Sequence, residues 1–319
     1  MAKNEYHFSR LNSKQKRIYN SALSSAQVFQ KNADFFGISS VGSKDIQPIC
    51  EALLFDHPEL FYLGLQMSAT SSLFGVGTLH LQYNYSKDQA KKLQASLNVV
   101  ANDIATKASR FHTDFEKILF VHDYLASTVT YDMNEKDAHN ALGPLLNHRG
   151  VCQGIAAATK LILDIVGVEC AIVMGEVRDP SNSGPHAWNL VCIDKKWYHL
   201  DVTLDLKQGG MFYHTYFLIN DADCFINHRY SHNDNEKCES INENYFFKKK
   251  AYFASFDLAA EYIVKQLATN NMAEVKMLKV GTNNVSGDLM KAVSLKNRTP
   301  MNYFIVPNVT FQIYGFFKR

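Results

Sequence analysis

The stretch from residue 186 to 203 constrains this chain more than any other. His186-Ala-Trp-Asn-Leu-Val-Cys-Ile193 and Trp197-Tyr-His-Leu-Asp-Val-Thr203 are both rich in strand formers, with Asp194-Lys195-Lys196 between them, the pattern of a β-hairpin. Side chains alternate between faces along a strand, so the length of the turn decides which residues meet. A two-residue loop of Asp194 and Lys195 pairs Ile193 with Lys196, sets His186 opposite Thr203 and sets Trp188 opposite Asp201. His186 and Asp201 then share a face as diagonal neighbours, roughly 7–8 Å apart at the backbone, a gap that an imidazole and a carboxylate can close. A three-residue loop puts them on opposite faces. An aspartate inside Tyr-His-Leu-Asp-Val-Thr is costly to bury without a charged or hydrogen-bonding partner, and the tighter turn supplies one.

Upstream, Gly150 and Val151 precede Cys152, while Ile155, Ala158, Ile162 and Ile165 follow at helical spacing. Cys152 therefore falls at the N-terminus of a buried amphipathic helix. Unpaired backbone N–H groups and the positive end of the helix dipole favour a thiolate there. Taken alone, Cys152 reads equally as an inert buried thiol. Cysteine, histidine and aspartate together are the parts of an acyl-transfer site: a thiolate attacks a carbonyl, an imidazole takes and returns the proton, and a carboxylate holds the imidazole in the useful tautomer.

The strings Gly150-Val-Cys-Gln-Gly154, His186-Ala-Trp-Asn-Leu190 and Trp197-Tyr-His-Leu-Asp-Val-Thr203 resemble those of bacterial transglutaminase-like proteins, members of the papain-like superfamily. Flanking pieces are similar too: Phe115 to Leu125 with Val129-Thr-Tyr-Asp132, Asn140 to Leu146, Tyr216 to Asn220, and His228-Arg-Tyr230. The resemblance covers about residues 105–232 and says little of either end. It implies an α+β fold in which a helix carrying the cysteine packs on an antiparallel sheet carrying histidine and aspartate. It implies Cys152 as nucleophile, His186 as general base and acid, and Asp201 as the orienting group, with Gln153, Trp188 and His228 expected at the substrate; Trp188 reads equally as a cross-strand packing residue. The chain departs from papain-type proteases at the oxyanion-hole glutamine, since Leu146 stands six residues before the cysteine. Asn147 is adjacent, the backbone N–H of Cys152 is the safer donor, and the second donor is unassigned.

A net charge of +2 is too small to imply nucleic acid or acidic lipid as a partner. No stretch is long enough to span a bilayer and Met1 to Phe8 contains no signal-like apolar run, so a cytoplasmic protein is expected, and the resemblance implies a peptide or protein substrate. Six scattered cysteines without a Cys-x-x-Cys pair argue against a disulfide framework. Cys224, His228, His232 and Cys238 bring soft ligands into one short loop, but the middle spacing is tight for structural zinc. Histidines at 7, 57, 80, 112, 122, 139, 148 and 199 form no ligand pattern, and no acidic loop suggests calcium. No cofactor or metal is expected.

Periodicity predicts helices over 12–32, 46–55, 86–108 and 255–269, a further helical stretch near 288–295, and strands at 61–65, 78–85, 275–280, 301–306 and 309–316. Three parts follow: an N-terminal α/β lobe (1–105), the transglutaminase-like domain (106–247) and a small C-terminal α+β module of ferredoxin-like proportions (248–319). The expected activity is thiol-dependent acyl transfer on an amide through a thioester. Water as acceptor makes a peptidase or amidase/deamidase, and an amine makes a cross-linking or cyclising transferase. A binding module with an idle triad is the reading from another class, and a structural metal protein centred on Cys224 to Cys238 is a third.

Overall fold

The computed structural model describes residues 5–38, 41–72, 75–179, 182–207, 213–231, 235–278, 283–297 and 303–318. The chain begins with α1 (Tyr6–Arg10), α2 (Ser13–Gln27) and α3 (Ser43–Asp56) against an antiparallel sheet of β1 (Asn32–Phe36), β2 (Ser68–Ser71) and β3 (Val76–His80), in the order β1-β3-β2. Asn12 starts α2 by accepting the Gln15 N–H while the Gln15 side chain accepts the Asn12 N–H, so two orphan donors are satisfied at once. The strand expected at 61–65 is instead a turn, with Leu60, Phe61, Tyr62 and Leu63 each no more than 7% exposed and Leu65 turned to solvent. Among the described residues, its one ladder contact is the bridge from Leu63 to Tyr83.

Next come α4 (Lys87–Ala108) and α5 (Asp114–Thr128), each opened by a capping box, at Ser86 and Thr113. Two short strands, β4 (Thr130–Tyr131) and β5 (Arg149–Gly150), pair in parallel and set Tyr131 beside Gly150. A wide helical turn at Gly143–Asn147 ends at His148 in the left-handed region, and the chain then enters α6 (Cys152–Ile165). Gly154 is required here: a Cβ would lie 2.1 Å from the Ala138 carbonyl oxygen, so only glycine lets the first turn of α6 seat on the 138–140 backbone.

The helix α6 packs on β6 (Glu169–Asp179) and β7 (Asn182–Ile193) of a five-stranded antiparallel sheet, completed by β8 (Lys196–Leu200), β9 (Phe217–Ile219) and β10 (His228–Tyr230) in the order β10-β6-β7-β8-β9. The hairpin register is the one the two-residue turn requires, Ile193 with Lys196 through Asn189 with Leu200. Asp194 and Lys195 take φ of 50° and 62°, the left-handed pair of a type I′ turn. The strand stops at Leu200 rather than at 203. Asp201 Oδ1 there accepts the N–H groups of Thr203 at 3.0 Å and Leu204 at 3.2 Å, and such a side-chain-capped turn ends a strand.

Between β9 and β10 lies α7 (Asp221–Cys224), and after β10 come α8 (Tyr245–Lys248), β11 (Tyr252–Phe253), α9 (Phe256–Thr269), β12 (Met272–Met277), α10 (Val285–Lys296), β13 (Tyr303–Asn308) and β14 (Ile313–Lys318). This last sheet has the order β11-β12-β14-β13, with β11 parallel to β12 and the rest antiparallel. A small α+β unit forms as expected, but it is not ferredoxin-like. The succession is β-α-β-α-β-β, with its hairpin at the end of the chain instead of between two helices.

One apolar core runs from Leu11 to Leu218 through both the N-terminal elements and α6, while the C-terminal sheet has a core of its own around Ile263, Val275 and Phe316. The type I′ turn carries an avoidable cost, because a non-glycine residue at left-handed φ is disfavoured by roughly 1–2 kcal/mol. Replacing Asp194-Lys195 with Asn-Gly is expected to raise stability in urea by about 1 kcal/mol, with the same Cys152 reactivity as the parent. Inserting one glycine between them moves Asp201 to the opposite face and is expected to abolish the selective alkylation of Cys152 described below, measured on protein with native far-UV circular dichroism.

Candidate active site

The first turn of α6 delivers Cys152 to the edge of the sheet where β7 carries His186. The thiol is in hydrogen-bond contact with the His186 ring, the Ala187 backbone N–H and the Tyr131 phenol. His186 Nε2 lies 2.6 Å from Asp201 Oδ2, so the other ring nitrogen, Nδ1, faces sulfur. All three expected catalytic residues are therefore brought together, 15 residues of separation closing between His186 and Asp201.

Asp201 is the most heavily bonded group of the site and is 2% exposed. Its Oδ1 takes two backbone N–H groups, and its Oδ2 faces both His186 and, at 3.0 Å, His228 Nε2. His228 is held from behind by Asn227 at 2.7 Å, whose amide reaches the Tyr216 hydroxyl at 2.8 Å. Burial opposes the charge on Asp201, but His186 and then His228 outweigh it and hold the carboxyl well below the ordinary carboxylate range. Burial likewise disfavours a charged His186, yet Asp201 and Cys152 push its pKa up to about 10. Burial raises the Cys152 thiol as well, and the His186 hydrogen bond and charge overcome it, leaving the thiol below its ordinary value. These directions favour the thiolate–imidazolium form of the pair over two neutral groups. The other five thiols all move the opposite way: burial pushes Cys50 and Cys192 up to about 11 and Cys170, Cys224 and Cys238 higher still.

Two expectations about substrate contact need correction. Trp188 is 1% exposed and His228 fully buried, so neither has surface to offer a substrate. Trp188 lies flat beneath His186, ring centroids 6.0 Å apart, donates its indole N–H to His199 Nδ1 at 3.0 Å, and stacks on Tyr230. It packs under the His186 ring rather than walling a cleft. Gln153 is partly exposed and lines a cavity of about 320 Å³ together with Leu54, Phe61, Gln82, Asn84 and Asn140. The Asn147 amide bonds Glu135 at 3.0 Å. The Cys224 to Cys238 loop does not assemble as a zinc site from its expected ligands, because His228 is engaged by Asp201 and Asn227; His232 lies outside the described residues.

Residue-by-residue reading missed Tyr131, which is 49% exposed at the site. Its only signal was the string Val129-Thr-Tyr-Asp132; the parallel bridge from β4 to β5 that carries it to the thiol is two residues long and leaves no periodic trace.

A cysteine on a helix packed against an antiparallel sheet that supplies histidine and aspartate is the arrangement that thiol-dependent acyl transfer uses. Residues 100–202 match the family model of the transglutaminase-like superfamily, and that segment is similar to it. The kyphoscoliosis peptidase of mouse is 22% identical over 205 residues, covering 56% of this chain and 31% of the relative. The human kyphoscoliosis peptidase is 24% identical, covering 56% and 30%. The chain thus spans about a third of the length of these curated relatives. Among solved structures, a TGase aligns at 17% identity with a TM-score of 0.31, covering 54% of this chain and 50% of that one. A putative cysteine protease from Cytophaga hutchinsonii aligns at 11% with a TM-score of 0.32, covering 55% and 78%.

Iodoacetamide at mildly acidic pH is expected to label Cys152 before the other five thiols, with the rate rising through a midpoint below the ordinary thiol value near 8.5. In His186→Ala the midpoint moves above that value, since the burial that raises the thiol remains while the charge that lowers it is gone. Peptide mapping by mass spectrometry across pH 4–10 reads both; a profile unchanged by the substitution overturns the pairing.

Proposed function

We propose that the protein cleaves an amide of a peptide or protein by thiol-dependent acyl transfer, with water as the usual acceptor. The observation that carries this reading is geometric: the Cys152 thiol is in hydrogen-bond contact with the His186 ring, whose Nε2 lies 2.6 Å from the buried Asp201 carboxylate. The Cys152 thiolate attacks the carbonyl carbon, and the imidazolium of His186 passes its Nδ1 proton to the leaving amine as the tetrahedral intermediate collapses to a thioester. His186, neutral after that step, then takes a proton from water, hydroxide adds to the thioester, and the thiolate departs. Asp201 keeps Nε2 protonated throughout. The oxyanion sits at the Cys152 backbone N–H, and Tyr131 is proposed as the second donor, because its phenol lies by both that N–H and the sulfur.

An amine acceptor uses the same attack and the same thioester, so the two activities differ in what reaches the acyl-enzyme. Hydrolysis is the more economical assignment because water is present unless a site excludes it. The substrate's acyl side is proposed to extend toward Gln153 and the cavity shared with the N-terminal elements, which gives the region 1–105 a share in specificity. The divisions near residues 105 and 247 are retained as proposed boundaries. A cytoplasmic setting is also proposed, consistent with all six cysteines being free.

The test is mass spectrometry of Cys152 after incubation with a peptide library, with and without an added primary amine. Expected are a thioester adduct on Cys152 and a product carrying a new carboxylate, with amide product a minor species; a dominant amide product reverses the acceptor assignment. On the peptide so identified, Cys152→Ser and Asp201→Ala are expected to lose turnover by about 10²–10⁴-fold with the fold kept. Full turnover in either contradicts its role. Tyr131→Phe is expected to lower kcat by about 10²-fold with little change in KM, whereas an unchanged kcat removes Tyr131 from the oxyanion hole.

A further inference from the structure

A second buried cluster of histidines and carboxylates lies where α5, the segment before β9 and the strand β12 meet. His122 Nδ1 is 2.9 Å from Asp123 Oδ1, and His214 Nε2 is 3.0 Å from the same oxygen. The far nitrogen of each ring is held by another carboxylate, His122 Nε2 by Asp205 Oδ2 at 3.2 Å and His214 Nδ1 by Glu274 Oε2. Asp205 also accepts the N–H groups of Thr215 and Tyr216, and Glu274 that of His214. A carboxylate loaded in this way only accepts, so both far nitrogens carry hydrogen. Two near nitrogens and one carboxylate oxygen then converge, all within 4.8 Å of one another.

We propose that His122 Nδ1, His214 Nε2 and Asp123 Oδ1 form a binding site for a divalent transition-metal ion, zinc foremost, with Asp205 and Glu274 orienting the two rings. Imidazole and carboxylate donors suit zinc, and a ligating histidine characteristically gives its other N–H to a carboxylate. Both rings here do so. Their centroids lie 5.2 Å apart, and two imidazoles on one tetrahedral ion with bonds of about 2.0–2.1 Å stand roughly 5 Å apart. The nitrogen-to-oxygen distances need to open by only a few tenths of an ångström from hydrogen-bond to ligand spacing, about 3.3 Å for that geometry. Charge agrees as well, since three carboxylates are balanced as well by one divalent cation as by two protons. Asp123 is 37% exposed and gives the ion an entrance and a fourth position for water.

Among the described residues, the two other groupings of this kind do not share these features. His199 Nδ1 accepts the Trp188 indole N–H and its Nε2 faces Asp221, so neither nitrogen has a lone pair to give. The grouping of His186, Asp201 and His228 belongs to the thiol site. An ion at His122, Asp123 and His214 ties α5 to the segment entering β9 and, through Glu274, to the C-terminal sheet. It also supports the thiol site indirectly, because Asp205 takes the N–H of Tyr216 while Asp201 donates its own N–H to the Tyr216 carbonyl.

The experiment uses the full chain carrying Cys152→Ala, so that the thiol site offers no sulfur, stripped with a chelator and titrated with Co²⁺ by absorption and with Zn²⁺ by calorimetry. Expected are one ion per chain, a Kd on the order of 1 µM or tighter, a raised thermal midpoint with zinc, and at least ~100-fold weaker binding in both Asp123→Asn and His214→Gln. No saturable binding, or binding undiminished in these variants, overturns the site. Should the variants fail to fold, X-ray absorption of the zinc-loaded Cys152→Ala protein decides. A shell of two imidazoles with oxygen and no sulfur supports the site, and a shell containing sulfur or lacking imidazole refutes it.

Discussion

The buried carboxylate of Asp201 is the interaction on which the rest of the site depends. An unpaired carboxylate at that depth costs several kcal/mol, and here the cost is met by two backbone N–H groups and two imidazoles. The same bonds do three jobs. They end β8, they fix the orientation of His186, and they raise the proton affinity of that ring until it can hold a thiolate beside it. His228, Asn227 and Tyr216 extend this support from behind, so the histidine that faces sulfur is positioned by a chain of hydrogen bonds reaching into the sheet.

The thiol depends on a different kind of constraint. Cys152 is placed by close backbone approach, with Gly154 letting α6 settle on the carbonyls at 138 and 140 and Gly150 carrying the β5 bridge to β4. Substituting a larger residue at 154 displaces the helix start, and with it the sulfur, before any chemistry is altered. Packing on one side and hydrogen bonding on the other thus locate two halves of the pair independently.

The hairpin was legible because a strand alternates with period two and a two-residue turn leaves one register; Ile193 to Lys196 needed only parity to be predicted. The long helices at 87–108 and 256–269 were legible from spacing. The strand proposed at 61–65 was not a strand, because four consecutive buried residues satisfy a pleated pattern and a compact turn alike. The C-terminal module showed the same limit, where element order was readable but the strand order β11-β12-β14-β13 was not. Trp188 and His228 were placed at the substrate because a motif tells that residues are near a site, not which side of it they occupy.

By itself the sequence determined the chemical parts: a cysteine opening a helix, and a histidine and aspartate whose facing was set by the turn between them. Local rules suffice for these, since helix starts and hairpin parity depend on neighbours in the chain. Only the tertiary structure decided that Tyr131 reaches the thiol, that Trp188 lies under the His186 ring, and that Asp123 meets His214 across 91 residues with His122 beside them. Those meetings depend on how sheets and helices stack, where contact is made by surfaces with no fixed spacing in sequence.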